Sequence, residues 1–252
     1  EIHEQPEAIR RALAGRIGMD SGRCSAETSR GLSHVLSDVG TTSESTHAVD
    51  LARIGWSEGE VRLFDHAHVV DCGTAYHAGL VGKRMIERFA GLPVTAEIAS
   101  EYRYSDPRVN DRTLVIAVSQ SGETADTLAA VREAKGKGAR VLAVTNVLGS
   151  SLAREADWAL YTQAGPEIAV ASTKAYTTQL VCLALAALYM GRARGTLDPL
   201  KEQELVSAIT ALPRQVQRTV DELESRTRAL ASSWGNVRDV FYIGRGIDWA
   251  VA

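Results

Sequence analysis

The sequence predicts an α/β fold in which a parallel sheet is covered by helices on both faces. Short, nearly continuous apolar runs recur from Ala67 onward, and each ends in Gly, Ser, Thr or Asn. Segments of helical length follow most of these runs. Apolar strands that alternate with helices are typical of parallel sheets buried on both faces. A chain of 252 residues that is 45% hydrophobic can bury a substantial core around such a sheet.

The strands and helices of this unit can be placed from the apolar runs and the helix-length segments between them. The predicted strands are 67–71, 94–98, 113–118, 140–145 and 158–162. The predicted helices are 75–90, 123–137, 150–156 and a longer one at 172–192.

Segments outside this unit have other patterns. Residues 6–17 predict a short amphipathic helix, and the Ser-, Thr- and Gly-rich stretch 18–50 predicts a loop or weakly ordered segment. Residues 201–231 carry apolar side chains at helical spacing, and Pro213 is expected to divide them into two helices. The run V-F-Y-I-G-R-G at 240–246 predicts a further strand that enters a glycine turn.

That last run resembles H-V-V-D-C-G-T at 68–74 and suggests a second α/β unit, which the chain would enter at about Asp239 and leave unfinished at Ala252. The predicted domain organisation has four parts. They are a linker helix with a polar, weakly ordered segment (1–66), the first α/β domain (67–195), connecting helices (196–238) and the truncated start of a second domain (239–252).

Composition excludes several classes of partner and site. The formal net charge of −3 gives no general attraction to nucleic acid or acidic membranes, and the longest apolar stretch, 180–190, is too short to span a bilayer. Three cysteines without C-x-x-C spacing and an N-terminus without a signal peptide favour the reducing cytoplasm. The histidines show no metal-ligand spacing, so we predict neither a metal nor a cofactor.

The stretch S-Q-S-G-E-T at 119–124 follows the third predicted strand and precedes a helix. Ser119, Ser121 and Thr124 can donate hydroxyl hydrogen bonds, while Gly122 allows a tight turn in front of the free N–H groups of the helix. Such a cradle suits an anion at the carboxyl edge of a parallel sheet. No P-loop lysine is present, so a single phosphate monoester is favoured over a nucleoside triphosphate.

A purely structural interpretation of this stretch stays open. Ser and Thr side chains cap helices, and Glu123 would complement the helix dipole. The motif alone does not decide between this interpretation and a phosphate site.

Two further stretches occupy equivalent positions at predicted strand ends. In C-G-T-A-Y (72–76), Thr74 is another hydroxyl donor and Gly73 allows close backbone approach, while Cys72 is interpreted as a small buried residue rather than a nucleophile. In A-G-P-E-I-A-V-A-S-T-K-A-Y (164–176), Ser172 either holds the polyol of a ligand or caps the long helix.

Lys174 lies near the start of that helix, where a cation is unfavourable for the helix dipole. Its charge suggests a partner such as Glu167 or an anionic ligand, but the favoured interpretation is an exposed lysine.

The three stretches, in this order and spacing, resemble the sugar isomerase (SIS) family. More narrowly they are similar to the isomerase domain of the glutamine–fructose-6-phosphate aminotransferases, or glucosamine-6-phosphate synthases. The opening E-I-H-E-Q-P resembles the linker that joins the glutaminase and isomerase domains of these enzymes, and E-I-A-S-E-Y-R-Y at 97–104 also fits. The resemblance implies an SIS-type three-layer αβα sandwich with a five-stranded parallel sheet, followed by helices and the start of a second SIS unit.

The resemblance also implies a substrate site. Ser119, Gln120, Ser121 and Thr124 would bind the phosphate of fructose 6-phosphate, and the turn after the first strand and the V-A-S stretch would reach the sugar. The implied substrate-binding residues are Gly73, Thr74, Ser119, Gln120, Ser121, Thr124, Val170, Ala171 and Ser172. Departures from the family pattern are Asp71, Ala75 and Ala169, which stand where Ala, Ser and Gly are common.

The activity that the resemblance implies is conversion of fructose 6-phosphate and glutamine to glucosamine 6-phosphate and glutamate by a homodimer. We expect this chain to lack the family's glutaminase domain, which the resemblance places before Glu1, and the family's acid and base residues, which it places beyond Ala252, so no catalytic residue is assigned. This chain is therefore expected to bind fructose 6-phosphate or glucosamine 6-phosphate without turning it over. Two alternatives stay open: an SIS-type fructosyl-amine deglycase or sugar-phosphate isomerase, and a non-catalytic regulator that senses a hexose phosphate.

Overall fold

The computed structural model describes residues 1–20 and 46–252 of the chain. Its strands are β1 (Ile17–Asp20), β2 (Thr46–Val49), β3 (His66–Asp71), β4 (Val94–Ile98), β5 (Thr113–Ser119), β6 (Arg140–Thr145) and β7 (Trp158–Tyr161). Its α-helices are α1 (Gln5–Leu13), α2 (Glu58–Leu63), α3 (Thr74–Ala90), α4 (Ala99–Tyr102), α5 (Ala125–Gly136), α6 (Ser151–Glu155), α7 (Lys174–Arg194), α8 (Pro199–Ser233) and α9 (Ile247–Val251). Short 3₁₀ helices span Ile2–Glu4 and Ala52–Ile54.

The central sheet has five parallel strands in the order β4-β3-β5-β6-β7, which confirms the predicted fold class. Every residue of the middle strand, β5, is buried. Apolar residues fill both faces of β5 because helices cover the sheet on both sides. The parallel arrangement brings the carboxyl ends of all five strands to one edge.

Two apolar cores lie on opposite faces of the sheet. Leu114, Ile116 and Val118 of β5 point into the core that contains α3 and α7. Val115 and Ala117 point into the smaller core that contains α5. This alternation follows from the two-residue period of a strand, and it places α5 and α7 on different sides of the sheet.

Helix α7 is buried along most of its length, and small residues let α3 approach it closely. A Cβ atom added at Gly82 of α3 would lie 3.0 Å from Leu183 Cδ1 of α7. At the far end of α7, a Cβ atom added at Gly191 would lie 2.7 Å from the carbonyl oxygen of Phe89. Helices α3 and α7 therefore pack closely against each other on one face of the sheet.

Part of the segment 1–66, for which the sequence predicts a linker helix and a weakly ordered stretch at 18–50, contributes to the main core, in which Val49 and Trp56 are buried. Strands β1 and β2 pair antiparallel, and a capping box formed by Ser57 and Glu60 starts α2. The side chain of Trp56 is fully buried, and its carbonyl oxygen accepts a hydrogen bond from the Tyr189 hydroxyl at 2.5 Å. The rest of that stretch, residues 21–45, lies outside the described residues.

The helix expected to break at Pro213 is instead one continuous helix, α8. A proline inside a helix removes one backbone hydrogen bond and costs about 3 kcal/mol. Apolar residues on both sides of Pro213 pack against the main core, among them Ile209, Leu212 and Val216. This packing holds the two halves in one line, so the prediction of two helices was wrong.

The predicted strand at 240–246 is also absent, because the structure gives this segment no regular secondary structure. Its large side chains are exposed, with Phe241 at 89% and Ile243 at 94% of their full accessibility. A strand needs a neighbour to pair its backbone groups, and the described part of the chain offers none here. The four-part domain division made from the sequence stays a prediction. None of the helices described is long and apolar enough to cross a membrane.

Candidate functional site

A cavity of about 240 Å³ lies at the carboxyl edge of the sheet, between the ends of β3 and β5 and the loop that leads into α7. The structure brings most of the predicted site residues together around it. Those that line the cavity are Thr74, Ser119, Gln120, Ser121, Thr124, Val170 and Ser172. Gly73 and Ala171 belong to the same turns but do not line the cavity.

The hydroxyl groups of 119–124 are linked to one another and to the turn. The Ser119 and Thr124 hydroxyl oxygens are 3.1 Å apart, and Ser119 Oγ accepts the backbone N–H of Gly122 at 3.0 Å. Ser121 Oγ accepts the N–H of Glu123 at 3.2 Å. Thr124 occupies the N-cap position of α5, yet its side chain makes no capping hydrogen bond. The first-turn N–H groups of α5 are thus not taken by Thr124 and can serve an anion.

Gly122 is required by the shape of this turn. Its φ of +66° lies in the left-handed region that L side chains avoid. A Cβ atom at this position would lie 2.2 Å from Ser150 Oγ and 2.8 Å from Thr145 Oγ1. Ser150 is itself held in place as the N-cap of α6, where its side chain accepts the N–H of Ala153 at 3.4 Å.

Glu123 has a different role from the one that the capping interpretation gave it. Its carboxylate accepts the backbone N–H of Ser151 at 2.7 Å, at the start of α6 rather than α5. This hydrogen bond lowers the pKa of Glu123. Glu123 therefore links the turn after β5 to α6. Its carboxylate is engaged there and not at the N-terminus of α5, where the hydroxyl groups of 119–124 lie.

The turn after β3 places Thr74 at the first position of α3. Gly73 precedes it with a φ of +59°, which permits the sharp change of direction from strand to helix. Cys72 is half-buried, carries a free thiol and lines the cavity.

Glu167 caps the N-terminus of α7. Its Oε1 accepts the N–H groups of Thr173 at 2.9 Å and Ala175 at 3.2 Å, and its Oε2 accepts the Ser172 hydroxyl at 3.0 Å. The N-cap position belongs to Thr173, so the interpretation of Ser172 as the N-cap is wrong. Ser172 is held at the cavity wall by a carboxylate instead.

Lys174 is 2% exposed, which contradicts the expectation of an exposed lysine. Its ammonium group forms an ion pair with Glu4, and not with Glu167. Burial of a charge requires such a partner.

The chain's first residues hold the loop at 163–173, which leads into α7. Glu1 Oε1 accepts the backbone N–H of Ile168 at 2.6 Å and that of Ala169 at 3.2 Å. The guanidinium group of Arg11 donates to the carbonyl oxygens of Gln163 and Ala164, each at 3.1 Å. The N-terminal residues therefore hold the start and the middle of a loop that supplies four cavity residues, namely Glu167, Ala169, Val170 and Ser172.

The cavity contains residues that the sequence motifs did not mark. Ala75 and Ala169, which lie within the motifs but were not assigned to the site, line it, and Gln179, which lies in none of the motifs, reaches it from α7. Gln179 is 2% exposed, and its Oε1 is buried without a hydrogen-bond partner among the described residues. The signal that could have found it is a glutamine on the inward face of an otherwise apolar helix.

The electrostatic character of the cavity is set by neutral donors. Among the described residues, no lysine or arginine lines it, and Glu167 is its one carboxylate. Asp71, the last residue of β3, is fully buried, and neither of its carboxylate oxygens has a hydrogen-bond partner in the part of the chain that the structure describes. Burial raises the pKa of Asp71 well above its ordinary value, because desolvation disfavours the charged carboxylate. Hydroxyl groups and backbone N–H groups are thus what a bound anion would meet.

Comparison with known proteins identifies the class. Residues 65–189, which include β3 to β7 and the loop before α7, match the SIS domain family. This chain belongs to the SIS family over that part of its length, as both its fold and the hydroxyl-rich turn at the sheet edge indicate.

Over its whole length the chain is similar to part of the glutamine–fructose-6-phosphate aminotransferases [isomerizing]. It is 51% identical over 252 residues to that of Symbiobacterium thermophilum and 52% identical to that of Caldanaerobacter subterraneus. In each case the match covers 100% of this chain and 37% of the relative, so the chain spans little more than a third of their length.

A solved structure gives the same likeness. The C-terminal domain of glucosamine-fructose-6-phosphate aminotransferase from Francisella tularensis superposes with a TM-score of 0.80 at 31% identity. The superposition covers 99% of this chain and 62% of that domain.

Proposed function

We propose that this chain is the sugar-phosphate-binding part of a glutamine–fructose-6-phosphate aminotransferase. The observation that carries the proposal is the cavity at the sheet edge, in which hydroxyl groups and free helix N–H groups converge without a lysine. Such a site suits the phosphate of a hexose monoester better than a nucleotide. The likeness to aminotransferases of this name over the whole chain supports the same substrate.

The roles of the lining residues follow from their positions. Ser119, Gln120, Ser121 and Thr124 bind the phosphate at the N-terminus of α5. Thr74, Val170 and Ser172 face the sugar from the other two turns, with Gly73 and Ala171 shaping those turns. The whole enzyme then converts fructose 6-phosphate and glutamine to glucosamine 6-phosphate and glutamate.

The cavity alone does not supply the proton transfers of this reaction. Moving a proton between neighbouring sugar carbons requires a general acid and a general base. Among the described residues that line the cavity, Glu167 is the one titratable acid or base apart from Cys72, and its carboxylate is engaged in capping α7. We therefore place the acid and base, and the glutaminase that releases ammonia, in parts of the relatives that this chain does not span.

Exposed apolar side chains near Ala252 fit the proposal that this chain is one part of a larger enzyme. Phe241, Tyr242, Ile243 and Trp249 are between 61% and 94% exposed. We propose that residues 239–252 begin a second SIS unit, joined to the first (67–195) by residues 196–238, and that the protein is a cytoplasmic homodimer. A second unit would cover the exposed side chains and give the segment at 240–246 a neighbour with which to pair.

A thermal-shift titration tests the proposed function. Fructose 6-phosphate at about a hundred times its dissociation constant is expected to raise the melting temperature by about 5 °C or more, whereas fructose has no effect. Ser121→Ala is expected to lose most of the shift. Equal shifts from fructose and its phosphate, or an unchanged response of Ser121→Ala, would refute the phosphate cradle.

Turnover is tested separately with the same purified chain. Incubation with fructose 6-phosphate and glutamine, or with ammonia, is expected to give no glucosamine 6-phosphate. Product formation would show that the chain carries its own acid and base. Release of a sugar from a fructosyl amine without glutamine would instead favour the deglycase alternative.

A further inference from the structure

Gln179 lines the cavity with a polar atom that the protein itself does not use. Its side chain comes from the buried face of α7, which also carries Ala175, Thr178 and Cys182. The residue is 2% exposed, and within residues 1–20 and 46–252 its buried Oε1 has no hydrogen-bond partner. A buried carbonyl oxygen that loses water without gaining a donor is destabilising. Most groups of this kind in folded proteins have a partner, so a missing donor is expected in the cavity.

The position of α7 decides which part of a ligand would supply the donor. Helix α5, whose N-terminus forms the phosphate cradle, packs on one face of the sheet, whereas α7 packs with α3 on the other. Gln179 therefore approaches the cavity from the side opposite the cradle. A ligand with its phosphate between Ser121 and Thr124 would present its carbon chain to Gln179.

The chemistry of the side chain gives the same answer. The Oε1 atom can only accept a hydrogen bond, and a phosphate dianion likewise offers acceptors alone. A sugar hydroxyl, in contrast, can donate to Oε1, and a neighbouring hydroxyl can accept from the amide NH₂ group. The unpartnered Oε1 atom of Gln179 is thus suited to a hydroxyl donor and unsuited to a phosphate dianion, which has no hydrogen to donate.

We propose that Gln179 hydrogen-bonds a sugar hydroxyl and makes the cavity select hydroxylated hexose phosphates over other phosphate monoesters. This inference rests on the proposed function, because it assigns the sugar end of the same site. It adds a residue that none of the three motifs contains.

Ligand affinities of the purified chain test the proposal. Gln179→Met keeps the volume of the side chain and removes its hydrogen bonds. The variant is expected to bind fructose 6-phosphate about tenfold more weakly than the original chain. Its affinity for inorganic phosphate should stay within about twofold, because the cradle is untouched. Removal of the unpartnered oxygen should leave the unliganded variant at least as stable to heat.

Matched controls separate this effect from general damage. Gln215→Met makes the same chemical change on the exposed surface of α8 and should alter neither affinity. In the original chain, hexyl phosphate should bind much more weakly than fructose 6-phosphate, since it offers no hydroxyl group. Gln179→Met should remove most of that preference.

Several outcomes would overturn the proposal. Unchanged binding of fructose 6-phosphate by Gln179→Met would show that the sugar does not use this amide. An equal loss of affinity for inorganic phosphate would assign Gln179 a merely structural role. If the methionine variant does not fold, Gln179→Asn, which withdraws the amide by one methylene group, replaces it and is expected to show the same selective loss. If neither variant folds, equal affinity of the original chain for hexyl phosphate and fructose 6-phosphate would reject the inference. Failure of the original chain to bind any hexose phosphate would instead reject the proposed function.

Discussion

The carboxylate of Glu1 holds the backbone N–H of Ile168 at 2.6 Å, which joins the beginning of the described chain to the loop at 163–173. The same oxygen accepts the N–H of Ala169, and the two hydrogen bonds lower the pKa of Glu1. Ala169 and Val170 line the candidate sugar-phosphate cavity. A side chain 167 residues earlier in the sequence therefore fixes the position of a loop at the site.

Glu1→Gln is expected to weaken binding of fructose 6-phosphate by about three- to tenfold, because an amide accepts a weaker hydrogen bond than a carboxylate. Inorganic phosphate should be affected less, since its cradle lies on the turn after β5. Isothermal titration of both ligands measures the effect. Glu7→Gln is the matched control, because Glu7 pairs with Arg10 on the surface of α1 and does not contact the loop. Equal losses in the two variants would contradict a specific role for Glu1.

Gly122→Ala is expected to destabilise the chain by more than about 2 kcal/mol and to abolish phosphate binding, because the φ of Gly122 is positive and the added Cβ would collide with Ser150. Denaturant unfolding measures the loss of stability. Gly136→Ala, at the end of α5, provides the control, since a Cβ there meets no atom within 4 Å. It should be neutral or stabilising by up to about 1 kcal/mol. Similar stabilities for the two variants would show that the turn can adapt.

The parts of the fold that could be predicted are those with local signals. The positions of the five strands of the central sheet agree with the structure to within about a residue, because each of these strands is a short apolar run that ends in turn-forming residues. The hydroxyl-rich turn could be predicted in the same way, since a strand, a glycine and a helix start are adjacent in sequence.

The remaining features depend on contacts between distant residues. The partner of Lys174 is Glu4, and nothing near Lys174 in the sequence indicates it. The continuity of α8 through Pro213 depends on packing against the core. Gln179 looks like an ordinary helical residue until the fold brings α7 to the sheet edge. In each of these cases, contacts between residues distant in sequence determine the structure, and the local sequence pattern either predicts something else or gives no indication.

His68→Phe is expected to reduce the loss of stability in acid. Burial, together with the nearby His66, lowers the pKa of His68 to about 4 from its ordinary value of 6.5. Below about pH 6.5 the imidazole of His68 is protonated in the unfolded chain, whereas in the folded chain it stays neutral down to about pH 4. The free energy of unfolding is therefore undiminished above pH 6.5 and decreases as the pH falls from 6.5 toward 4. The loss is on the order of 2 kcal/mol. Phenylalanine keeps the edge-on ring contact with Tyr102 and cannot be protonated.

The measurement for His68 is the free energy of unfolding at about pH 7 and about pH 4.5, taken from denaturant curves. His77→Phe, on the exposed side of α3, should leave the difference between the two values unchanged. An unaltered difference in His68→Phe would show that other groups cause the acid sensitivity.

Asp71→Ala is expected to gain stability relative to the original chain as the pH rises. Burial raises the pKa of Asp71, whose two carboxylate oxygens find no partner among the residues that the structure describes. Below the ordinary Asp pKa of 3.8, Asp71 is protonated in both states and its full contribution to stability is present. As the pH rises from there toward the raised pKa, the unfolded chain ionises and the folded chain does not, so that contribution is lost. The free energies of unfolding of Asp71→Ala and the original chain should therefore diverge between about pH 4.5 and about pH 8.

Packing around Asp71 opposes this gain, and the pH dependence separates the two effects. A Cβ atom added at Gly79 would lie 2.5 Å from Asp71 Oδ2, so α3 packs closely on the carboxyl group and the alanine leaves a small void. The void costs stability equally at every pH, whereas the ionisation effect grows with pH. A variant that is less stable than the original chain by the same amount at both pH values would show that Asp71 finds a hydrogen-bond partner in solution. A difference that moves by about 1 kcal/mol or more in favour of alanine between the two pH values would establish Asp71 as a buried, neutral acid beside the candidate sugar-phosphate site.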